Sequence, residues 1–142
     1  MQGEPATYIV GVVVELPKPS VLIVEDERIV ARDLAAVLRV AGYDVSIASS
    51  CDEALVRVSE RRPDMALMDI RILGPLDGIE TALILRDRFG IRAIYMSADV
   101  DPQTRMRADG TTPLGYVSKP VTAPELRAAV AAGLAARQPG DG

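Results

Sequence analysis

The sequence predicts an α/β fold: a doubly wound sheet of five parallel strands, with a helix after each strand. Short apolar runs alternate with segments whose apolar residues recur every three or four positions, as is typical of a parallel sheet covered by helices. Two of the runs, residues 21–24 (VLIV) and 65–68 (MALM), are continuously apolar, as expected of strands buried on both faces. The length of 142 residues favours one domain.

The five strands are predicted from composition and alternation. Residues 21–24 and 65–68 are apolar throughout, whereas residues 43–48 (YDVSIA) alternate and indicate a half-exposed strand. Residues 91–96 (IRAIYM) and 115–118 (GYVS) are the fourth and fifth strands, and each is followed by a polar residue. Because these strands are separated by helical segments, we expect them to run parallel.

The helices are predicted from apolar spacing and from their end residues. Residues 27–41 place apolar side chains on one face, and Gly42 follows as a C-cap. The fourth helix begins at Asp101–Pro102, but residues 103–112 are polar, so its apolar face is thin and we expect it to be the most mobile element. The second, third and fifth helices begin at capping boxes: Ser50 with Glu53, Asp77 with Glu80, and Thr122 with Glu125.

The ends of the chain lie outside this alternation. Residues 1–19 form an N-terminal extension in which residues 7–16 (TYIVGVVVEL) are rich in β-branched residues and predict an extra strand. The extension is either an extra strand or a poorly ordered segment, or else an edge strand that pairs with the sheet or with a second copy, which would give a homodimer. No basic residue precedes it and it is too short to span a bilayer, so we expect neither a signal peptide nor membrane insertion. Residues 138–142 are expected to be a disordered tail.

Composition excludes several classes of function. The net charge of −4 and pI near 4.8 give no basic footprint, so direct binding of nucleic acid is not expected. The single cysteine, Cys51, cannot form an internal disulfide, which fits a reducing cytoplasm. Because the chain has no histidine, it lacks the base of Ser-His and Cys-His catalysis and cannot itself be a histidine phosphodonor.

Side chains that can carry chemistry follow four of the strands. Carboxylates, a hydroxyl and an ammonium all fall at carboxyl ends, where a doubly wound sheet brings its functional groups together. Clustered carboxylates repel one another, and a hard divalent cation such as Mg²⁺ relieves that repulsion. The residues are Glu25 and Asp26 after the first strand, Asp69 after the third, Ser97 after the fourth and Lys119 after the fifth.

In their order and placement these residues resemble the receiver domain of two-component response regulators, the CheY-like superfamily. The resemblance covers residues 20–137 and implies a flavodoxin-like sheet with strand order 2-1-3-4-5. The stretch DIRILGPLDGIE, residues 69–80, has one residue more before Asp77–Gly78 than the commonest receivers. It resembles a subgroup, DIRxxGxxDGIE, that is often found near sensory histidine kinases.

The resemblance implies a role for each residue of the constellation. Asp69 matches the phosphoacceptor, assisted by Lys119 and Ser97, and the Lys119–Pro120 bond is expected to be cis. Mg²⁺ is expected to be held by Glu25, Asp26, Asp69 and the backbone carbonyl of Arg71. Ser97 and Tyr116 match the switch residues, while Arg71 and Asp99 occupy the positions that tune dephosphorylation and, having opposite charges, are expected to pair.

The resemblance also implies a function. We expect a cytoplasmic, single-domain phosphoacceptor that receives its phosphoryl group from a sensor histidine kinase or a histidine phosphotransfer protein. Phosphorylation would change the surface around the fourth helix, fifth strand and fifth helix, and so affect a downstream protein partner or a phosphorelay. Such a protein is not an enzyme beyond self-phosphorylation and self-dephosphorylation.

Two alternatives remain open from the residues. The first is a receiver-like module that binds partners without phosphorylation, although the complete set of site residues argues against it. The second is an aspartate-nucleophile phosphatase, which needs Asp-x-Asp at the first strand. Here that strand ends in Glu25–Asp26–Glu27, so the sequence disfavours this alternative.

Overall fold

The computed structural model describes residues 6–9, 11–15 and 17–137, and it contains two separate sheets. The strands of the larger sheet are β3 (Ser20–Val24), β4 (Asp44–Ala48), β5 (Met65–Asp69), β6 (Ala93–Ser97) and β7 (Gly115–Ser118). They are parallel and lie in the order β4-β3-β5-β6-β7, which is 2-1-3-4-5 among these five, so the predicted fold class is confirmed. The helices are α1 (Arg28–Val40), α2 (Cys51–Glu60), α3 (Gly78–Phe89), α4 (Pro102–Asp109) and α5 (Ala123–Ala136).

Apolar cores cover both faces of the five-stranded sheet. One core joins the sheet to α2, α3 and α4 through residues such as Ala54, Leu85 and Ala108. The other joins it to α1 and α5 through residues such as Leu38 and Leu126. Every residue of β3 and β5 is buried, as their continuously apolar sequences predict, and this fixes the carboxyl ends of both strands at one edge.

The helices begin close to the predicted residues. The capping boxes of α3 and α5 are complete, with reciprocal bonds between N-cap and third residue. At α2 the box is partial: Ser50 accepts from the Glu53 amide at 3.2 Å, but the Glu53 carboxylate accepts from the Ser49 amide instead of returning to Ser50. The thin apolar face predicted for α4 is confirmed, because Ala108 is its one buried residue among those described.

The N-terminal extension differs from the predicted single strand. It contains two strands, β1 (Ala6–Ile9) and β2 (Val12–Glu15), which pair with each other in antiparallel register and form the second sheet instead of adding an edge to the first. Gly11 lies between them with φ of 78°, a conformation that favours glycine and lets the β-prone run reverse its direction. The predicted tail, residues 138–142, lies outside the described residues.

Of the helices described within residues 17–137, none combines the length and the apolar character that crossing a bilayer requires.

Candidate functional site

Four strand ends of the larger sheet meet at one cavity of about 680 Å³. Asp69 and Ser97 are the last residues of β5 and β6, while Asp26 and Lys119 follow β3 and β7 within two residues. The structure therefore brings together the side chains that the sequence placed at separate strand ends. The Lys119 amide donates to the Ser97 carbonyl at 2.8 Å, and the Lys119–Pro120 bond is cis, as expected.

The centre of the site is a lysine bridging two carboxylates. The Lys119 ammonium donates to Asp69 Oδ2 at 2.8 Å and to Glu25 Oε1 at 2.9 Å. The Glu25 side chain is fully buried, that of Asp69 is 10% exposed and that of Lys119 is 24% exposed. Charged groups this buried are costly unless paired, so the three side chains fix one another's positions.

The charges at this centre do not balance, because one ammonium faces two carboxylates. Burial raises the pKa of Glu25 to about 7, and the neighbouring Asp69 adds to the rise, while bonds from the Glu27 amide and Lys119 oppose it. Burial alone would lower the pKa of Lys119, but its hydrogen bonds to Asp69 and Glu25 raise it overall. Lys119 therefore stays charged, and a second cation beside Glu25 and Asp69 would favour the ionised form of both carboxylates.

The donor set fits a hard divalent cation. Glu25, Asp26 and Asp69 each offer a carboxylate oxygen, and these oxygens lie within 4.8 Å of one another. Carboxylate oxygens with room for water are the ligands that Mg²⁺ takes in proteins. Arg71 lies beside them and its amide donates to Asp69 Oδ1 at 3.3 Å, while a ligand role for its carbonyl stays a prediction.

The other predicted site residues divide into two groups. Ser97, Arg71 and Asp99 all line the cavity, Ser97 half-buried and the other two exposed. Among the described residues no ion pair joins Arg71 to Asp99, so the expected pairing stays a prediction. Tyr116 does not line the cavity; its hydroxyl donates to Asp109 of α4.

Two features of the site were missed at the sequence level. Gly78, interpreted as the start of a helix, packs so closely against β5 that a Cβ atom there would lie 1.8 Å from the Asp69 carbonyl oxygen. Arg107 of α4 lines the cavity and donates to Asp77 at 2.9 Å. The glycine was visible as part of an Asp-Gly pair, but nothing in the sequence links Arg107 to a residue 30 positions away.

Comparison with known proteins gives a consistent result. A family model described as the response regulator receiver domain matches residues 21–131. The DNA-binding response regulator MtrA of Mycolicibacterium smegmatis is 32% identical over 114 residues, covering 80% of this chain and 50% of that protein. The phosphate regulon transcriptional regulatory protein PhoB of Rhizobium meliloti is 34% identical over 124 residues, covering 85% and 54%. The chain thus spans about half the length of the curated relatives it matches.

Solved structures agree in fold. The signal receiver domain of a modulated diguanylate cyclase from Desulfovibrio desulfuricans superposes with a TM-score of 0.79 at 37% identity, covering 85% of this chain and 97% of that one. The N-terminal domain of a three-domain response regulator, sensory box and GGDEF protein from Carboxydothermus hydrogenoformans gives 0.74 at 32% identity, covering 82% and 94%. Membership of the DIRxxGxxDGIE subgroup, which has the longer loop, stays a prediction.

Proposed function

The chain belongs to the response regulator receiver family of two-component systems, and from that premise we propose that it accepts a phosphoryl group on Asp69. The donor class is a phosphohistidine, carried by a sensor histidine kinase or a histidine phosphotransfer protein. The protein acts as a phosphoacceptor whose catalytic contribution is limited to its own phosphorylation and dephosphorylation.

One observation carries the proposal: Lys119 holds Asp69 at 2.8 Å beside a buried second carboxylate. A carboxylate used only to end a strand needs neither an ammonium partner nor a cluster of acidic neighbours. Here Asp69 is at once the end of β5, the partner of Lys119 and a member of the three-carboxylate set. That combination supports an acceptor whose incoming group is anionic.

The transfer proposed is a simple displacement at phosphorus. A carboxylate oxygen of Asp69 forms a bond to phosphorus while the bond between phosphorus and the donor imidazole nitrogen breaks, and its electron pair stays on that nitrogen. Lys119 then lies near a phosphoryl oxygen, and the Ser97 hydroxyl can donate to another. The cavity has room for these oxygens beside Asp69.

Magnesium is proposed as the cofactor, held by Glu25, Asp26, Asp69 and the Arg71 carbonyl. When bound, Mg²⁺ neutralises charge on the phosphoryl oxygens during attack. Binding requires the ionised form of Glu25, whose pKa is raised to about 7 by burial. Glu25 and Lys119 set the electrostatic surroundings of Asp69, and the hydrogen bond from Lys119 holds the Asp69 carboxylate in place.

The proposed output is a change of surface. The acyl phosphate carries a charge of roughly −1.5 to −2 in place of the single negative charge of the carboxylate, and it presents three phosphoryl oxygens. These oxygens attract Ser97 and Lys119 and so bias Tyr116 between two positions. The surface formed by α4, β7 and α5 then changes its affinity for a downstream protein or for the next member of a phosphorelay. MtrA is a DNA-binding regulator, but the acidic charge of this chain supports a protein partner over nucleic acid for the domain itself. The location proposed is cytoplasmic.

Intact-mass spectrometry tests the acceptor chemistry. The protein is incubated with acetyl phosphate and Mg²⁺, and Asp69→Asn and Asp64→Asn are treated alongside. We expect one added phosphoryl group in the parent and in Asp64→Asn, and none in Asp69→Asn or after chelation of the metal. Equal labelling of Asp69→Asn would reject Asp69 as the acceptor, and no labelling of the parent by acetyl phosphate would favour the phosphorylation-independent module.

A further inference from the structure

Helix α4 is held to the rest of the domain mainly by polar contacts. It has eight residues, and among them Ala108 is the one buried side chain. A helix this short is not stable without partners, and most helices find theirs in an apolar face. Hydrogen bonds and ion pairs therefore largely determine the position of α4.

The end of α4 nearest β7 is anchored. Arg86 of α3 donates to the Gly110 carbonyl at 2.9 Å and to the Thr112 hydroxyl at 3.0 Å. Beneath them the buried hydroxyls of Tyr95 and Thr111 lie 2.6 Å apart, so this end is bonded to both the sheet and α3. These contacts do not involve Tyr116. The contacts between α4 and Tyr116 can therefore change while this end of the helix stays bonded.

On that side, two residues one helical turn apart hold Tyr116. The Tyr116 hydroxyl donates to Asp109 Oδ1, and the Arg105 guanidinium lies 3.7 Å from the centre of the Tyr116 ring. Arg105 also donates to the same Asp109 oxygen at 3.2 Å, so Arg105 and Asp109 hold each other in place beside Tyr116. The Tyr95 ring, fully buried, lies 5.7 Å from that of Tyr116 and closes the space toward the core.

We propose that Arg105 and Asp109 are positioning residues that clamp Tyr116 against α4 and so oppose its movement toward Ser97. The inference deepens the proposed function, because it assigns to these two residues the control of the switch that phosphorylation of Asp69 operates. Tyr116 cannot leave its place without giving up both its carboxylate acceptor and its cation, and α4 loses the same contacts. The position of the ring and the attachment of α4 are therefore coupled in both directions.

Charge and protonation are consistent with the clamp. Burial, followed by the bond to Asp109, raises the pKa of Tyr116 to about 12, so the phenol remains a donor at neutral pH. The same bond, more than the contact with Arg105, lowers the pKa of Asp109, so its carboxylate remains an acceptor. A charged acceptor makes a stronger hydrogen bond than a neutral one, and a cation over an aromatic face adds to it.

The test follows the Tyr116 ring by ¹⁹F NMR in protein labelled with 3-fluorotyrosine. The chain has four tyrosines, and Tyr116→Phe identifies the resonance. Asp109→Asn and Arg105→Met each remove one half of the clamp while nearly preserving side-chain size. The matched control, Glu60→Gln, breaks the exposed Arg57–Glu60 ion pair of α2, which has no contact with Tyr116.

Before any phosphorylation, we expect both clamp variants to move the Tyr116 resonance part of the way toward its position in the phosphorylated parent. The population of the second position should rise about fivefold or more, and the ring should become less accessible to solvent, as a smaller H₂O/D₂O isotope shift reports. Glu60→Gln should leave the resonance unchanged.

The outcomes separate the clamp from the acceptor chemistry. If the resonance in Asp109→Asn and Arg105→Met coincides with that of the unphosphorylated parent, or if the ring becomes more exposed, the clamp is rejected even when Asp69 is phosphorylated normally. If acetyl phosphate labels neither the parent nor any variant, the acceptor proposal fails. The clamp is then judged by the unphosphorylated proteins alone: it is supported if the Tyr116 ring becomes less exposed in the two variants and rejected if it does not.

Discussion

Gly78 lies so close to Asp69 that a Cβ atom at position 78 would be 1.8 Å from the Asp69 carbonyl oxygen and 2.8 Å from its carbonyl carbon. The Gly78 amide also donates to the Ile70 carbonyl at 2.7 Å. The first residue of α3 is thereby pressed onto the end of β5 at the proposed acceptor. No side chain can be added there unless the helix or the strand end moves.

Gly78→Ala should therefore both destabilise the protein and displace Asp69. We expect a loss of at least about 2 kcal/mol in the free energy of unfolding, because backbone atoms on both sides must shift. Urea denaturation measures the loss, and the rate of labelling by acetyl phosphate reports on the acceptor. Gly115→Ala is the matched control, since a Cβ at position 115 meets nothing within 4 Å. Equal stability of the two variants would contradict the steric argument.

The buried Glu25 should make the stability of the metal-free protein fall as pH rises from about 4.5 to about 7. Burial raises its pKa in the folded chain to about 7 from an ordinary value of 4.5, so the folded state binds more protons than the unfolded state between these values. Its contribution is complete below pH 4.5 and is lost through pH 7. Glu25→Gln should remove this fall, which we expect to be on the order of 2 to 3 kcal/mol, as measured by urea denaturation from pH 4.5 to 8.

Magnesium should reverse that loss, because the ion requires the carboxylate form. The increase in melting temperature on adding Mg²⁺ should be larger at pH 8 than at pH 6 in the parent, and smaller at both in Glu25→Gln. Glu60→Gln, an exposed glutamate of α2, is the control and should behave as the parent. A parent whose stabilisation by Mg²⁺ is the same at both pH values would contradict the raised pKa of Glu25.

Arg71 is expected to shield the phosphorylated acceptor from water. It lines the cavity beside Asp69, and its exposed cation can lie near either the phosphoryl group or Asp99. Arg71→Ala should shorten the life of phosphorylated Asp69 by several-fold, and the remaining phosphoprotein can be followed by intact mass after removal of acetyl phosphate. The control, Arg62→Ala, removes another exposed arginine, one that does not line the cavity. An unchanged decay rate in Arg71→Ala would reject the role.

The Arg107–Asp77 contact should restrain α4 without adding much global stability. Arg107 donates to Asp77 Oδ2 at 2.9 Å while Oδ1 of the same carboxylate caps α3. Exposed ion pairs contribute about 0 to 1 kcal/mol, so Arg107→Met should change the unfolding free energy little. Amide hydrogen exchange in α4 should nevertheless increase several-fold, which a merely superficial contact would not cause.

The same exchange measurement on Glu60→Gln serves as the reference for Arg107→Met. Loss of that exposed pair of α2 should leave α4 protected as in the parent. Exchange in α4 that is equally slow in both variants would mean that its other contacts suffice to hold it, and the restraint would then be assigned to the anchor at Arg86 and Tyr95.

The sequence by itself determined the architecture and the residues that the structure gathers at the proposed acceptor site. Continuously apolar runs followed by Glu25 and preceding Asp69, and a largely apolar run before Ser97, predict buried parallel strands with polar ends, and burial of those runs brings the ends to one edge. Capping residues fixed the starts of α3 and α5 for an equally local reason, since the bonds involved join residues three apart. The hairpin at the N terminus was missed because one glycine, Gly11, reverses a run that otherwise has the composition of a single strand.

Only the tertiary structure decided which polar side chains meet across the fold. The contact of Gly78 with Asp69, the bridge from Lys119 to Glu25, and the clamp of Arg105 and Asp109 on Tyr116 join separate elements. Periodicity reports which face of an element is apolar, because burial of that face dominates the folding free energy. Periodicity does not indicate which polar side chains of other elements an exposed residue will contact. Such contacts are individually weak and depend on how the elements pack.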